Sequence, residues 1–126
     1  MKAEDSSSPF RRCNVYRLKM ESVSAHSDIG NVLFHRIAND ANLAGACNFI
    51  DFTQMPPGTS IGDHRHSEHE EEFYFILSGR GTMTVESESF PVATGDLIRN
   101  PPGGKHGLRN DGPDTLSMLV FEVGVA

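Results

Sequence analysis

The sequence predicts an all-β domain, an antiparallel sandwich or barrel, from three observations. Short apolar or alternating runs recur along the chain, Gly, Pro, Asn and Asp punctuation separates them, and no stretch sustains a helical period. Without crossover helices, neighbouring strands must pair antiparallel. The 126 residues leave room for one domain. Residues 1–12, "MKAEDSSSPFRR", read as a flexible tail and 13–126 as the β domain.

In chain order the runs are "NVYRLKM" (14–20), "NVLFHRIA" (31–38), "CNFIDFTQM" (47–55), "EFYFIL" (72–77), "GTMTVES" (81–87), "SFPVA" (89–93), "DLIRN" (96–100), "HGLRN" (106–110) and "TLSMLVFEV" (115–123). "PPGTSIGD", "SGRG", "ATGD", "PPGGK" and "NDGPD" are the turn signals between them. The best helical stretch, "NDANLAG" (39–45), is short and ends in glycine. About nine strands result. In the strand 72–77, Glu72, Tyr74 and Ile76 share one face and Phe73, Phe75 and Leu77 the other. Both faces are largely apolar, so both call for cover. The inner one faces the barrel interior, and the outer one calls for a second layer or a partner subunit. A homodimer is the expectation.

Composition narrows the function. There are 11 Lys and Arg against 17 Asp and Glu, a net charge of −6, which argues against a nucleic-acid partner. No run approaches the ~20 apolar residues of a membrane span. The amino-terminal residues lack the apolar core of a secretory signal. Cys13 and Cys47 form no CxxC pair and read as reduced thiols. A cytoplasmic location is expected.

Chemistry concentrates in "GDHRHSEHEEEFYFILSGRG" (62–81). His64 and His66 are two apart, so on a strand both imidazoles point the same way and can ligate one ion. An isolated pair of this kind is as often merely exposed. Glu70, Glu71 and Glu72 follow directly, and a strand turning back beside the histidines would bring one of these carboxylates to them. Most of that acidic run must be a solvated face, since no ion takes three adjacent glutamates. About forty residues on lies "GDLIRNPPGGKHGLRN" (95–110), where Pro101, Pro102, Gly103 and Gly104 shape a tight turn that presents His106 at the start of a strand. There is no phosphate loop, HExxH or GxSxG turn.

These two segments resemble the motifs of the cupin family. The first family motif runs Gly, five residues, His-x-His, three or four residues, Glu, six residues, Gly, and Gly58, His64, His66, Glu72 and Gly79 follow it. The second runs Gly, five residues, Pro-x-Gly, two residues, His, three residues, Asn, and Gly95, Pro101, Gly103, His106 and Asn110 fit it throughout. There is one departure: five residues separate His66 from Glu72. Spacing from the histidines would choose Glu70 or Glu71, whereas spacing to Gly79 chooses Glu72. The strand and its turn set register while a loop absorbs an insertion, so Glu72 is the choice and Glu71 the reserve.

The resemblance implies a double-stranded β-helix, the jelly-roll barrel, with one divalent ion at its mouth on His64, His66, Glu72 and His106. Nitrogen and oxygen ligation suits Mn, Fe, Co, Ni, Cu or Zn. Two positions of a six-coordinate ion would stay open for water, oxygen or a bidentate substrate. Affinity should fall below about pH 6, where ordinary imidazoles protonate. The activity implied is a small metalloenzyme working on an oxygen-rich small molecule: an isomerase, decarboxylase, dioxygenase or polyketide cyclase. The alternative is a non-catalytic binding module for a sugar or metabolite. Tyr74, in phase with Glu72, is the candidate catalytic acid or base, against a plain packing role. Arg99, Arg109 and Asp51 read as surface or sheet-pairing residues before substrate contacts.

Overall fold

A computed structural model describes residues 12–27 and 29–125. Among these residues the chain forms ten strands, β1 (Glu21–Val23), β2 (Val32–Asn39), β3 (Cys47–Met55), β4 (Ser60–Arg65), β5 (Glu70–Ser78), β6 (Arg80–Val85), β7 (Glu88–Ala93), β8 (Leu97–Asn100), β9 (Lys105–Arg109) and β10 (Leu116–Gly124), with two 3-10 turns, Val15–Arg17 and Ala25–Ser27. Six strands form one sheet in the order β1-β2-β3-β10-β5-β8, and four form the other in the order β4-β9-β6-β7. Every pairing is antiparallel. The last strand lies between β3 and β5, and β9 lies between β4 and β6, so late segments close onto early ones. This is the jelly-roll barrel, all β as the sequence predicts.

Alternation builds the interior. Along β5, Glu72, Tyr74 and Ile76 are buried, and along β10 Met118, Val120 and Glu122 are buried in the same rhythm. Ile76, Met118, Met55, Leu116 and Met83 pack between the sheets with no exposed surface. The turn that sets the β5 register needs its glycine twice over. Gly79 has φ +89°, and a Cβ there would come within 2.5 Å of the Thr115 carbonyl oxygen.

Some sequence expectations need correcting. The segment 14–20 is not a strand: the Asn14 side chain accepts the Tyr16 N–H and turns Val15–Arg17 into a 3-10 turn. "NDANLAG" is a turn, because the Asn39 carbonyl accepts the N–H groups of both Asn42 and Leu43. "PPGTSIGD" conceals the start of β4, whose Ser60, Ile61 and Gly62 are buried against β9. The outward face of β5 is only half covered. Phe73 stacks on Phe121 with ring centres 5.0 Å apart, while Phe75 and its cross-strand neighbour Leu97 are 36% and 59% exposed. Of the expected tail, only Arg12 lies within the described residues. Cys13 and Cys47 are free thiols. No described helix is long and apolar enough to cross a membrane.

Candidate functional site

Register brings the two motifs together. His64 on β4 sits directly opposite His106 on β9, just beyond a bulge in the pairing. His66 follows the end of β4, where its N–H donates to the Gly104 carbonyl across the Pro-Pro-Gly-Gly turn at 3.1 Å. Glu72 comes from the opposite sheet. One ligand atom from each of His64, His66, Glu72 and His106 lies within 4.8 Å of the others. His106 Nε2 is 3.0 Å from Glu72 Oε1, His66 Nε2 is 3.5 Å from the same oxygen, and the Nε2 atoms of His64 and His66 are 3.1 Å apart. Ligands about 2.0–2.2 Å from one ion would stand about 3.0–3.5 Å apart, so these three spacings are ones that a transition-metal ion could bridge. Glu71 is elsewhere, paired with Arg99 on the sheet's outer surface.

The site's charges follow from burial and neighbours. The His64 Nδ1–H donates to the Gly62 carbonyl at 2.8 Å, which leaves Nε2 unprotonated toward the cluster, and burial holds the ring's pKa down at about 4. His66 goes the other way, raised to about 9, chiefly by its hydrogen bond to Glu72. Burial opposes ionisation of Glu72, yet hydrogen bonds from His106 and His66 prevail and hold the carboxyl at about 2. Without an ion, His66 is therefore the imidazolium and Glu72 its counter-charge. A divalent cation would replace one proton there, a change the site's geometry and charge both accommodate.

Tyr74 is buried with its ring edge-on to His106, centres 5.5 Å apart at 89°. Burial, then the Glu72 charge, push its phenol well above the usual 10, so it can donate a hydrogen bond but not serve as a base at neutral pH. Arg99 and Arg109 form exposed pairs with Glu71 and Asp111. Asp51 is buried, accepts from Arg36 at 2.9 and 3.0 Å, and lines the cavity beside the cluster.

That cavity has a volume of about 430 Å³. Val23, Phe34, Phe49, Ile61 and Val120 give it apolar walls, His64, His66 and Glu72 lie on one side, and Arg36 with Asp51 makes the other polar patch. Sequence reasoning missed two neighbours of the cluster, His26 and Glu122. His26 stacks on His64 with ring centres 3.5 Å apart and planes 8° from parallel, from a left-handed backbone at φ +57°. No local pattern signals that. Glu70 and Glu122 face the far nitrogen of His66. For Glu122 a signal existed, a lone carboxylate at an inward position of the apolar run 115–123.

Residues 51–122 match the Cupin_2 family model, the cupin domain. The oxalate-binding protein of Thermotoga maritima is 36% identical over 67 residues, 53% of this chain and 54% of that protein. Quercetin 2,3-dioxygenase of Bacillus subtilis is 29% identical over 96 residues, 76% of this chain and 28% of that enzyme. The chain spans about half the length of the first curated relatives it matches. Among solved structures, a predicted oxalate decarboxylase from Thermotoga maritima superposes with a TM-score of 0.84 at 24% identity, covering 89% of this chain and 97% of that one, a likeness of fold. With more than half its residues inside the family's domain, this chain belongs to the cupin family.

Proposed function

We propose that this protein is a metal-dependent enzyme acting on a small molecule with oxygen atoms on adjacent carbons. The observation that carries the reading is the convergence of His64, His66, Glu72 and His106, the first three of which line a cavity. Three neutral imidazoles and one carboxylate would leave a bound Mn, Fe, Co, Ni, Cu or Zn ion with net positive charge, matched to an anionic oxygen donor. When bound, such an ion supplies Lewis acidity toward substrate oxygens and, for redox metals, dioxygen chemistry. The chain's own residues do the rest. The apolar walls from Phe34, Phe49 and Val120 exclude water and hold a carbon-rich body, and Tyr74 keeps its phenol proton beside Glu72. Oxalate and quercetin, named for two relatives, both carry oxygens on adjacent carbons, which supports chelation as the binding mode.

A second reading has its own support, since one relative is named for binding and not for turnover. A panel of hydroxy acids, β-diketones, sugars and phenolic compounds separates the two, run with ion-free protein and with Mn, Fe, Ni and Zn forms. Turnover that needs metal and disappears in His106→Ala is the expected result. Tight binding of one compound, indifferent to metal and never followed by conversion, would favour the binding module.

We also propose a homodimer formed through the outer face of β5 and β8, where Phe75 and Leu97 form the exposed apolar pair. Sedimentation should give a dimer at micromolar concentration and a monomer for Phe75→Asp. A wild-type monomer would refute it. Two unpaired thiols support a cytoplasmic location.

A further inference from the structure

The three imidazoles of the cluster differ in what holds the nitrogen that faces away from it. His64 Nδ1 is fixed by the Gly62 backbone carbonyl at 2.8 Å. His106 Nδ1 is buried without a partner among the described residues. His66 Nδ1 meets two carboxylates, Glu122 Oε1 at 3.0 Å and Glu70 Oε2 at 3.2 Å.

The position of Glu122 is the informative one. It is 7% exposed and lies directly across from Glu72 in the β10–β5 pairing, both on the barrel's inner face. Two like charges opposite each other in neighbouring strands destabilise a sheet unless something of opposite character stands between them. The His66 ring does so, with Nε2 toward Glu72 and Nδ1 toward Glu122. The second oxygen of Glu122 accepts from Asn48 Nδ2 at 3.1 Å, so the carboxylate is held at both ends. Glu70 makes the hydrogen bond to Nδ1 at 3.2 Å, but its side chain is 38% exposed and water-screened, whereas Glu122 faces the same nitrogen from a buried position. His66 also needs this support more than His64 does. Its Nδ1 has no backbone acceptor of the kind that the Gly62 carbonyl gives His64, so side-chain carboxylates must orient its ring.

We propose that Glu122 is a positioning residue of the metal centre. From 3.0 Å, beside the Glu70 oxygen that accepts the Nδ1–H, its buried carboxylate favours the tautomer protonated at Nδ1, keeps Nε2 aimed at the cluster and makes the ring a stronger donor. The inference rests on reading the four-residue cluster as a metal site.

The test uses the full chain, stripped of metal by chelation and titrated with Co(II) by calorimetry. Glu122→Leu, which removes the buried carboxylate at similar size, should weaken binding by about 10–100-fold. Glu122→Gln keeps an acceptor oxygen and should lose less, and Glu70→Gln least. Stoichiometry should stay at one ion per chain throughout. Two readouts do not follow from mere structural damage: the visible absorption bands of the Co(II) form should shift in Glu122→Leu, and the His66 Nδ1–H signal, seen by NMR in the Zn(II) form, should shift and exchange faster with water in that variant than in wild type. Should Glu122→Leu fail to fold, the ranking of Glu122→Gln below wild type and below Glu70→Gln carries the same decision. Wild-type affinity and spectrum in the Glu122 variants would overturn the proposal while leaving the metal site intact. Loss of a second equivalent of metal in those variants would make Glu122 a ligand of another ion and overturn it too. A wild-type chain that takes up no Co(II) would refute the metal site itself.

Discussion

The two ends of the barrel handle buried polar groups in opposite ways. At one end Asn110 is fully buried and saturated: its Nδ2 donates to the Met55 and Asp114 carbonyls at 2.8 Å, and its Oδ1 accepts the Gly112 N–H at 3.0 Å. Met55 and Leu116, neither with any exposed surface, close that end. At the other end Asn100 and His106 are each 1% exposed, yet both polar atoms of Asn100 and Nδ1 of His106 lack a partner among the described residues. Asn100 pairs across strands with Glu72, so these atoms lie beside the charged cluster. His106 and Asn110 are only four residues apart, about 13 Å along an extended strand, and one short segment serves both ends. Saturated hydrogen bonds hold a fold together, whereas buried polar atoms without partners gather where a site trades stability for function. The closed end is built for stability, and the open end holds the candidate metal site.

If that division holds, damage to one end should leave the other's property standing. The largest effect belongs to the packed interior. Ile76→Ala, at a position with no exposed surface, should destabilise the protein by about 2–5 kcal/mol in urea unfolding. The fraction that stays folded should bind metal with nearly wild-type affinity. A parallel collapse of affinity would mean that the ends are one cooperative unit.

The next effect is a pH dependence with opposite signs for binding and for ion-free stability. A metal must displace the proton from His66 Nε2, and the raised pKa of about 9 means that proton is held tightly. Affinity should therefore drop about tenfold per pH unit as pH falls below 9, roughly 100-fold from pH 8 to 6. Protonation of His64 would add a second proton only near its value of about 4. This places the onset well above the pH ~6 expected of ordinary imidazoles. Without metal the sign reverses. A folded-state pKa above the unfolded value stabilises below about 6.5, and that contribution is lost as pH rises through 9. Calorimetric titrations beside thermal melts of the ion-free chain check both slopes. A fall in affinity beginning only near pH 6 would show that the Glu72 hydrogen bond does not hold the His66 proton.

The smallest effect sharpens the comparison inside one strand. Glu72→Gln should weaken metal binding by about tenfold or more, ~1.4 kcal/mol, because it removes the buried charge. Glu71→Gln, which alters a pair with Arg99 on the outer face, should change affinity less than about twofold. The reverse ranking would put the extra residue of the first motif inside β5 and not before it.

Much of the site is legible because strands obey a period of two and a turn glycine sets the count. Two histidines two apart on a strand share a face, and counting back from Gly79 by the spacing of the cupin motif selects Glu72 over Glu71. The same local rules identify most of the strands that line the barrel. They fail where an element depends on something else in space. Val15–Arg17 alternates like a strand but has a side-chain cap that turns it, and β4 begins in a segment rich in turn residues because β9 lies ready to pair with it.

What the sequence by itself determined is the all-β class and the alternation of β5, encoded by spacing over a few positions, and, through its resemblance to the two cupin motifs, the identity of the four clustered residues. What only the tertiary structure decided is the surroundings of that cluster. His26 reaches His64 through a left-handed turn, and Glu122 reaches His66 because β10 inserts beside β5. Such contacts join residues about forty to fifty-six positions apart. They arise from which strands pair and how the sheets close, a global packing outcome that no local pattern records.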